Sequence, residues 1–318
     1  MVFRPVAALA AAALVVLVPA ASGRQVETGC LGHKPTIMGT DGNDTLTGTP
    51  NADVIEGLGG DDTIDGGGGR DIICGGDGND TITGGAGADE ISGDAGDDHI
   101  DGGAGLDYAV YSDAPAGVAV NLAAGTATGW GNDTLVGMEA AVGSRFNDTL
   151  TGTDGPNYLA GLEGNDVLSA AGGTDYLDGG SGNDVLKGGK GYDTVDFHYA
   201  HNGITVNLAA GKASGYGKDR LANIEDVDGS PQGDTIIGNA SANWLRGFGG
   251  RDFIYGVAGP DRLEGGAGND VIYGGTGGDR IAGGPGRDVL FGGPGRDRIA
   301  GGPGRDICRH GERLSTCP

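Results

Sequence analysis

Gly75-Gly76-Asp77-Gly78-Asn79-Asp80-Thr81-Ile82-Thr83 runs without a break into GGAGADEIS (84–92), GDAGDDHID (93–101) and GGAGLDYAV (102–110). Each nonapeptide opens on a glycine-rich stretch, carries Asp at its sixth place and an aliphatic residue at its eighth. Counting in nines from Gly39 keeps register for eight copies to Val110; six more copies span Gly143 to Asp196, and nine span Gly229 to Arg309. Of these twenty-three copies, twenty-one have Asp at the sixth place and two have Asn, Asn157 and Asn243. A fixed period with a carboxylate in one phase means a small unit stacked many times, each presenting the same acid.

Glycine at the first, second and fourth places permits positive φ and close backbone approach, so the first six residues read as a turn. The last three read as a short strand whose eighth residue points inward while the seventh and ninth point out. Two copies then make one eighteen-residue coil, and copies eighteen apart stack about 4.8 Å from each other. The expected fold is all-β: a parallel β-roll or β-helix solenoid of Gly-Asp-rich nonapeptide repeats, two repeats per coil. One buried Ile or Leu contributes about 1.5–3 kcal/mol, less than the ordering of nine residues at roughly 1.5 kcal/mol each. Stacked carboxylates add repulsion on the order of 1 kcal/mol per neighbouring pair even at water's dielectric constant. A divalent cation between successive turns removes that repulsion, and carboxylate and carbonyl oxygens at this density suit Ca²⁺.

The copies resemble the RTX (repeats-in-toxin), or haemolysin-type, calcium-binding nonapeptide G-G-x-G-x-D-x-U-x. The resemblance covers residues 39 to 309 apart from two inserts. It implies a calcium-loaded β-roll in which repeat Asp side chains and turn carbonyls share several ions between stacked turns. Carried onto this sequence, the metal residues are Asp44, Asp53, Asp62, Asp71, Asp80, Asp89, Asp98 and Asp107 in the first array. They are Asp148, Asp166, Asp175, Asp184 and Asp193 in the second. In the third they are Asp234, Asp252, Asp261, Asp270, Asp279, Asp288, Asp297 and Asp306. Copies that open an array, such as GTDGNDTLT, GTPNADVIE and GNASANWLR, lack some glycines, so their sites are expected to be weaker or empty.

Seventy-one glycines and 5 % aromatics in 318 residues rule out a conventional globular core, and no three-residue period points to collagen. Residues 1–23, with Arg4, an apolar Val6 to Val18 and small residues from Pro19 to Gly23, read as a signal peptide and predict a secreted, extracellular protein. The four cysteines suit an oxidising compartment. Cys308 and Cys317 bracket the carboxy-terminal tail, and a Cys30–Cys74 bridge requires the entry segment to fold over the first coils. The chain thus divides into the signal (1–23), an entry segment (24–38), array 1 (39–110), an insert (111–142), array 2 (143–196), a second insert (197–228), array 3 (229–309) and a tail (310–318).

The inserts match at an offset of 86 residues: Gly117-Val118-Ala119-Val120-Asn121-Leu122 against Gly203-Ile204-Thr205-Val206-Asn207-Leu208, and Glu139 against Glu225. They read as irregular coils that continue the solenoid. The formal net charge is −24, yet residues 229–318 hold ten acidic side chains and ten arginines. Stacking by eighteens puts Arg262, Arg280 and Arg298 in a ladder after Trp244 on one face. It puts Phe253, Tyr255, Tyr273 and Phe291 on the other. A basic ladder can hold an anionic polymer or offset Asp charge; an aromatic strip can bind sugar, bind another subunit, or stabilise its sheet. The outward threonines Thr45, Thr47, Thr63, Thr81 and Thr83 are similar to the threonine arrays of ice-binding solenoids, but the row is short and broken by Asp65.

Neither H-E-x-x-H nor G-x-S-x-G occurs, and no phosphate-loop lysine follows a glycine-rich turn, so neither an enzyme nor a nucleotide site is expected. His198 and His201 have no histidine counterparts in the first insert. The expected role is that of a secreted calcium-binding β-roll with a structural or surface-binding part, whose folding depends on Ca²⁺. Binding of polysaccharide or cell-wall polymer through the third array, as an adhesin, is the alternative, and an accessory module of an extracellular hydrolase or epimerase is a third reading. No nucleic-acid partner and no membrane insertion are expected; self-association through the aromatic face is possible.

Overall fold

The eighth-place aliphatic side chains face inward, and their stacking generates the architecture. In a computed structural model describing residues 29–310, 313–315 and 317, Ile55, Ile64, Ile73, Ile82, Ile91 and Ile100 are all fully buried. So are Leu245, Ile254, Leu263, Ile272 and Leu290. The signal-peptide reading of residues 1–23 lies outside the described residues. The chain forms two units. The first comprises the described residues up to Thr153 with Asn157–Leu159, and the second Asp154–Pro156 with Ala160 onward.

In the first unit, successive nonapeptide copies alternate between two parallel sheets. One contains Val54–Glu56, Ile72–Asp77, Glu90–Ala95 and Tyr108–Val110; the other contains Thr45–Thr47, Thr63–Asp65, Thr81–Gly87 and His99–Gly105. Pairing advances by eighteen residues, as with Ile64 opposite Ile82 and Ile73 opposite Ile91. This is the two-repeat coil expected from the period. The turns stack as closely as the strands: at the fourth place a Cβ would overlap the carbonyl oxygen one coil back, Gly87 over Gly69 being one case. Cys30–Gly32 forms a single 3₁₀ turn that folds over the first coils. It brings the Cα atoms of Cys30 and Cys74 to 5.5 Å in a disulfide.

The second unit repeats the plan. Trp244–Arg246, Arg262–Glu264, Arg280–Ala282 and Arg298–Ala300 pair in parallel on one sheet; Phe253–Tyr255, Val271–Tyr273, Val289–Phe291 and Ile307–Arg309 pair on the other. Cys308 and Cys317 are bridged, with Cα atoms 5.9 Å apart.

The inserts depart from a simple coil. Ala119–Asn121 and Thr205–Asn207 are strands, as their alternation predicts, but each begins a three-strand excursion within one sheet. In the first unit Ala119–Asn121 runs antiparallel to Thr126–Thr128, which runs antiparallel to Asn132–Val136; the last strand then pairs in parallel with His99–Gly105. The second unit does the same with Thr205–Asn207, Lys212–Ser214 and Lys218–Ala222. Two reversals within so few residues need left-handed backbone, supplied by Gly125 and Gly129 in one insert and Gly211 and Gly215 in the other. The expected threonine row is broken as well: the column Thr45, Thr63, Thr81 ends at His99, and Thr47 is followed by Asp65.

Because each core position touches its equivalents one coil away, a cavity at one is felt by its neighbours. Ile272→Ala is expected to lower stability by about 2–5 kcal/mol, measured by urea unfolding in calcium. A change near zero would show that the eighth-place stack is not the core.

Candidate metal centre

The sixth-place Asp side chain turns back along the stack and caps the coil before it. The backbone N–H of Asp62 donates to Oδ1 of Asp80 at 2.7 Å, that of Asp71 to Asp89 at 2.9 Å, and that of Asp80 to Asp98 at 2.9 Å. The third array repeats this through Asp252 to Asp270, Asp261 to Asp279, Asp270 to Asp288, Asp279 to Asp297 and Asp288 to Asp306, at 2.9–3.0 Å. One carboxylate oxygen per copy is therefore a structural acceptor.

The other oxygen divides the copies into two kinds. In seventeen of them Oδ2 is buried and accepts no hydrogen bond: Asp62, Asp71, Asp80, Asp89, Asp98 and Asp107; Asp166, Asp175, Asp184 and Asp193; Asp252, Asp261, Asp270, Asp279, Asp288, Asp297 and Asp306. In those same seventeen copies the second-place residue has positive φ. Glycine usually stands there, but Leu58, Asp94, Leu162, Ala171, Phe248 and Val257 also adopt it, Val257 at φ 80°. The remaining six copies have Thr40, Thr49, Ser144, Thr153, Ser230 and Asn239 at the second place, none with positive φ. There the second-place N–H donates to the sixth-place side chain, as Thr40 does to Asp44 at 2.6 Å and Thr49 to Asp53 at 2.7 Å. Ser144 closes onto Asp148 at 2.6 Å, Thr153 onto Asn157 at 2.6 Å, Ser230 onto Asp234 at 2.7 Å and Asn239 onto Asn243 at 2.9 Å. A left-handed second residue takes its N–H away from the acid; an ordinary one supplies it. These six closed copies are the first two of each array.

In the open copies the orphan oxygen faces another acceptor. A Cβ on Gly84 would lie 2.7 Å from both Asp89 Oδ2 and the Gly102 carbonyl oxygen. On Gly66 it would lie 2.9 Å from Asp71 Oδ2 and 2.5 Å from the Gly84 carbonyl oxygen. First-place glycine thus leaves a small space between a carboxylate oxygen and a carbonyl oxygen, with the methyl of Ile91 or Ile73 beside it at 3.0 Å. Leaving one buried acceptor unsatisfied costs about 1–3 kcal/mol, more when it is charged. Seventeen of them exceed the 5–15 kcal/mol by which folded domains are stable. A hard cation with oxygen ligands fits this donor set. Among the described residues no group of three or more His, Cys, Asp or Glu side chains could hold a metal ion, so backbone oxygens must complete any site.

A family model described as RTX calcium-binding nonapeptide repeat matches residues 38–73, 75–109, 142–177, 161–195, 228–263, 247–281, 255–290 and 273–308, more than half of the sequence. The chain belongs to this family. Calcium binding is thus the property its repeats share, and the open copies are where this RTX chain has oxygens without partners. No curated protein matches. Among solved structures, the chain is similar to the X-ray crystal structure of a hyperactive, Ca²⁺-dependent, β-helical antifreeze protein from an Antarctic bacterium. The identity is 19 % over 83 % of each chain, with a TM-score of 0.23.

The inserts hold acids that the nonapeptide count misses. The Asp98 N–H donates to Asp133 Oδ1 at 3.2 Å and the Asp107 N–H to Glu139 Oε2 at 3.1 Å; Asp184 and Asp193 donate likewise to Asp219 and Glu225. Gly131-Asn132-Asp133-Thr134-Leu135 and Gly217-Lys218-Asp219-Arg220-Leu221 each repeat places four to eight of a copy, the signal that could have found Asp133 and Asp219. Tyr111 donates its hydroxyl to Asp133 Oδ2 at 2.7 Å, so this carboxylate has the donor that the open copies lack.

Other singled-out residues have structural partners. Tyr273 stacks on Phe291 with centroids 4.7 Å apart and meets Phe253 at 5.7 Å and Tyr255 at 6.3 Å, so the aromatic strip contacts itself. The His198 ring packs edge-on against Tyr199 and Phe248, while His201 is exposed. Arg246 pairs with the buried Asp228, which also accepts from the Tyr176 hydroxyl.

Burial raises several of the open carboxyls. It pushes Asp98 up to about 8, helped by Asp133, Asp80 and Asp94, and Asp184, Asp252 and Asp261 up to about 7. In the closed copies the balance differs: the Thr49 N–H holds Asp53 below its ordinary value, whereas burial still raises Asp148 and Asp234 against their hydrogen bonds. A raised folded pKa means the folded state holds protons that the unfolded state has lost, so stability falls as pH rises through that window. In chelator, the RTX chain is expected to recover β-sheet dichroism as pH drops from about 8 toward 6, because protonation removes the buried charges. A loss of β-sheet signal over this range would contradict burial of uncompensated carboxylates.

Proposed function

We propose that this protein is a secreted, non-catalytic, calcium-gated repeat protein, structural in role, that orders when calcium fills the open copies of its coils. The match between seventeen orphaned carboxylate oxygens and seventeen left-handed second places carries this reading. Bound Ca²⁺ supplies the positive charge and the coordination that those oxygens lack. This chain's residues do the rest: the sixth-place Asp presents Oδ2, first-place glycine leaves the space, and the second-place backbone decides whether an N–H competes. The metal set narrows to those seventeen, with Asp44, Asp53, Asp148 and Asp234 held by their own turns. Extracellular calcium modules bind at about 10⁻⁴–10⁻³ M, a range suited to ordering after export. The amino-terminal segment and two disulfides support export. Among the described residues no helix is long and apolar enough to cross a membrane.

Circular dichroism of the mature chain, first in EDTA and then with added calcium, tests the gate; an unchanged β-sheet spectrum in EDTA would contradict it. A pair of variants separates the two kinds of copy. Asp270→Asn is expected to shift the calcium midpoint for folding upward several-fold. Asp53→Asn, which places the amide found at 157 and 243, is expected to leave it in place. Equal shifts would show that closed copies hold calcium too.

A further inference from the structure

We propose that the second unit carries a groove for an acidic polysaccharide, built on the arginine ladder and running along the stacking direction. The inference rests on the calcium-gated reading, since the ladder exists only where the coils stack. Arg262, Arg280 and Arg298 are directly opposite one another on three successive parallel strands, preceded by Trp244. Strand spacing puts neighbouring side chains about 4.8 Å apart. The adjoining outward column falls from Glu264 to Ala282 and Ala300, so large side chains on one side face small ones on the other. The result is an open groove of roughly 490 Å³ that Ser315 also lines.

The ladder's charge is only partly used within the protein. Arg262 donates to Glu264 at 2.6 Å and lies over the Trp244 ring at 4.3 Å. Arg280 and Arg298 are exposed and make no ion pair among the described residues. Like charges at strand spacing repel one another, and among the described residues no acid forms an ion pair with Arg280 or Arg298. Their complement is a linear partner with one anionic group per strand spacing, which a chain of uronic-acid sugars supplies. Each planar guanidinium can grip a carboxylate with two parallel hydrogen bonds. Calcium strengthens the match. Residues 229–318 balance ten acids against ten arginines, so filling the Asp252 to Asp306 copies leaves this segment net positive while the ladder stays uncovered.

The test is calorimetric binding of a short oligogalacturonate, too short to gel with calcium, to the full mature chain in calcium. A neutral oligoglucoside of equal length and inorganic polyphosphate are run beside it, with circular dichroism on each sample. Binding of the oligogalacturonate alone, weakened about tenfold or more by Arg280→Ala with Arg298→Ala, is the expected result. The lysine pair at the same positions should recover part of it, and Arg251→Ala with Arg287→Ala, in turns leading to the other sheet, should leave it unchanged. Unaltered binding by the folded Arg280/Arg298 variant would overturn the groove, as would equal loss in the Arg251/Arg287 variant. Equal or tighter binding of polyphosphate would overturn the polysaccharide assignment. A wild-type chain that stays unordered in calcium defeats the calcium-gated reading instead, which the dichroism reports separately.

Discussion

A buried carboxylate oxygen with no donor in reach is the constraint on which the rest of this structure depends. Through most of each array the sixth-place Asp has one oxygen committed to an N–H of the preceding coil, which locks the turns in register. The second oxygen is committed only where the turn's own second residue offers its N–H. Where that residue is left-handed, the oxygen accepts no hydrogen bond and faces a carbonyl oxygen, a donor set that suits a cation. Strand pairing and the aliphatic stack set the geometry, but they leave these charges unanswered.

The six closed copies give the arrays a direction. Asp44 and Asp53, Asp148 and Asn157, and Asp234 and Asn243 begin the three arrays, and each pair forms its turn from hydrogen bonds alone. Asn157 and Asn243 go further, donating Nδ2 to the Glu139 and Glu225 carbonyls at 3.0 and 2.7 Å, where a carboxylate would add a third acceptor. These turns close on their own hydrogen bonds and precede the open copies of each array. The inserts end on the same logic, with Asp133, Glu139, Asp219 and Glu225 taking over the capping of the last repeat coils.

Much of this was written in the period. The inward eighth place, the eighteen-residue coil, the opposite faces of Arg262 and Tyr273, and the phase of the acids all follow from strand alternation and stacking. Three things did not. Open and closed turns are marked at the second place by Gly against Ser, Thr or Asn, but Leu58, Phe248 and Val257 hide the rule, because they adopt positive φ although their side chains disfavour it. The antiparallel excursions were not foreseen, since the Thr126–Thr128 and Lys212–Ser214 strands are too short to show alternation. Asp133 and Asp219 fell outside the count because the inserts break the spacing of nine while keeping the local motif.

The most direct measurement is the anomalous difference map of calcium-loaded crystals. The account predicts ions against Oδ2 of the seventeen open-copy aspartates and none against Oδ2 of Asp44, Asp53, Asp148 or Asp234. Ions on those four carboxylates, or open copies in a well-ordered solenoid with none, would contradict it.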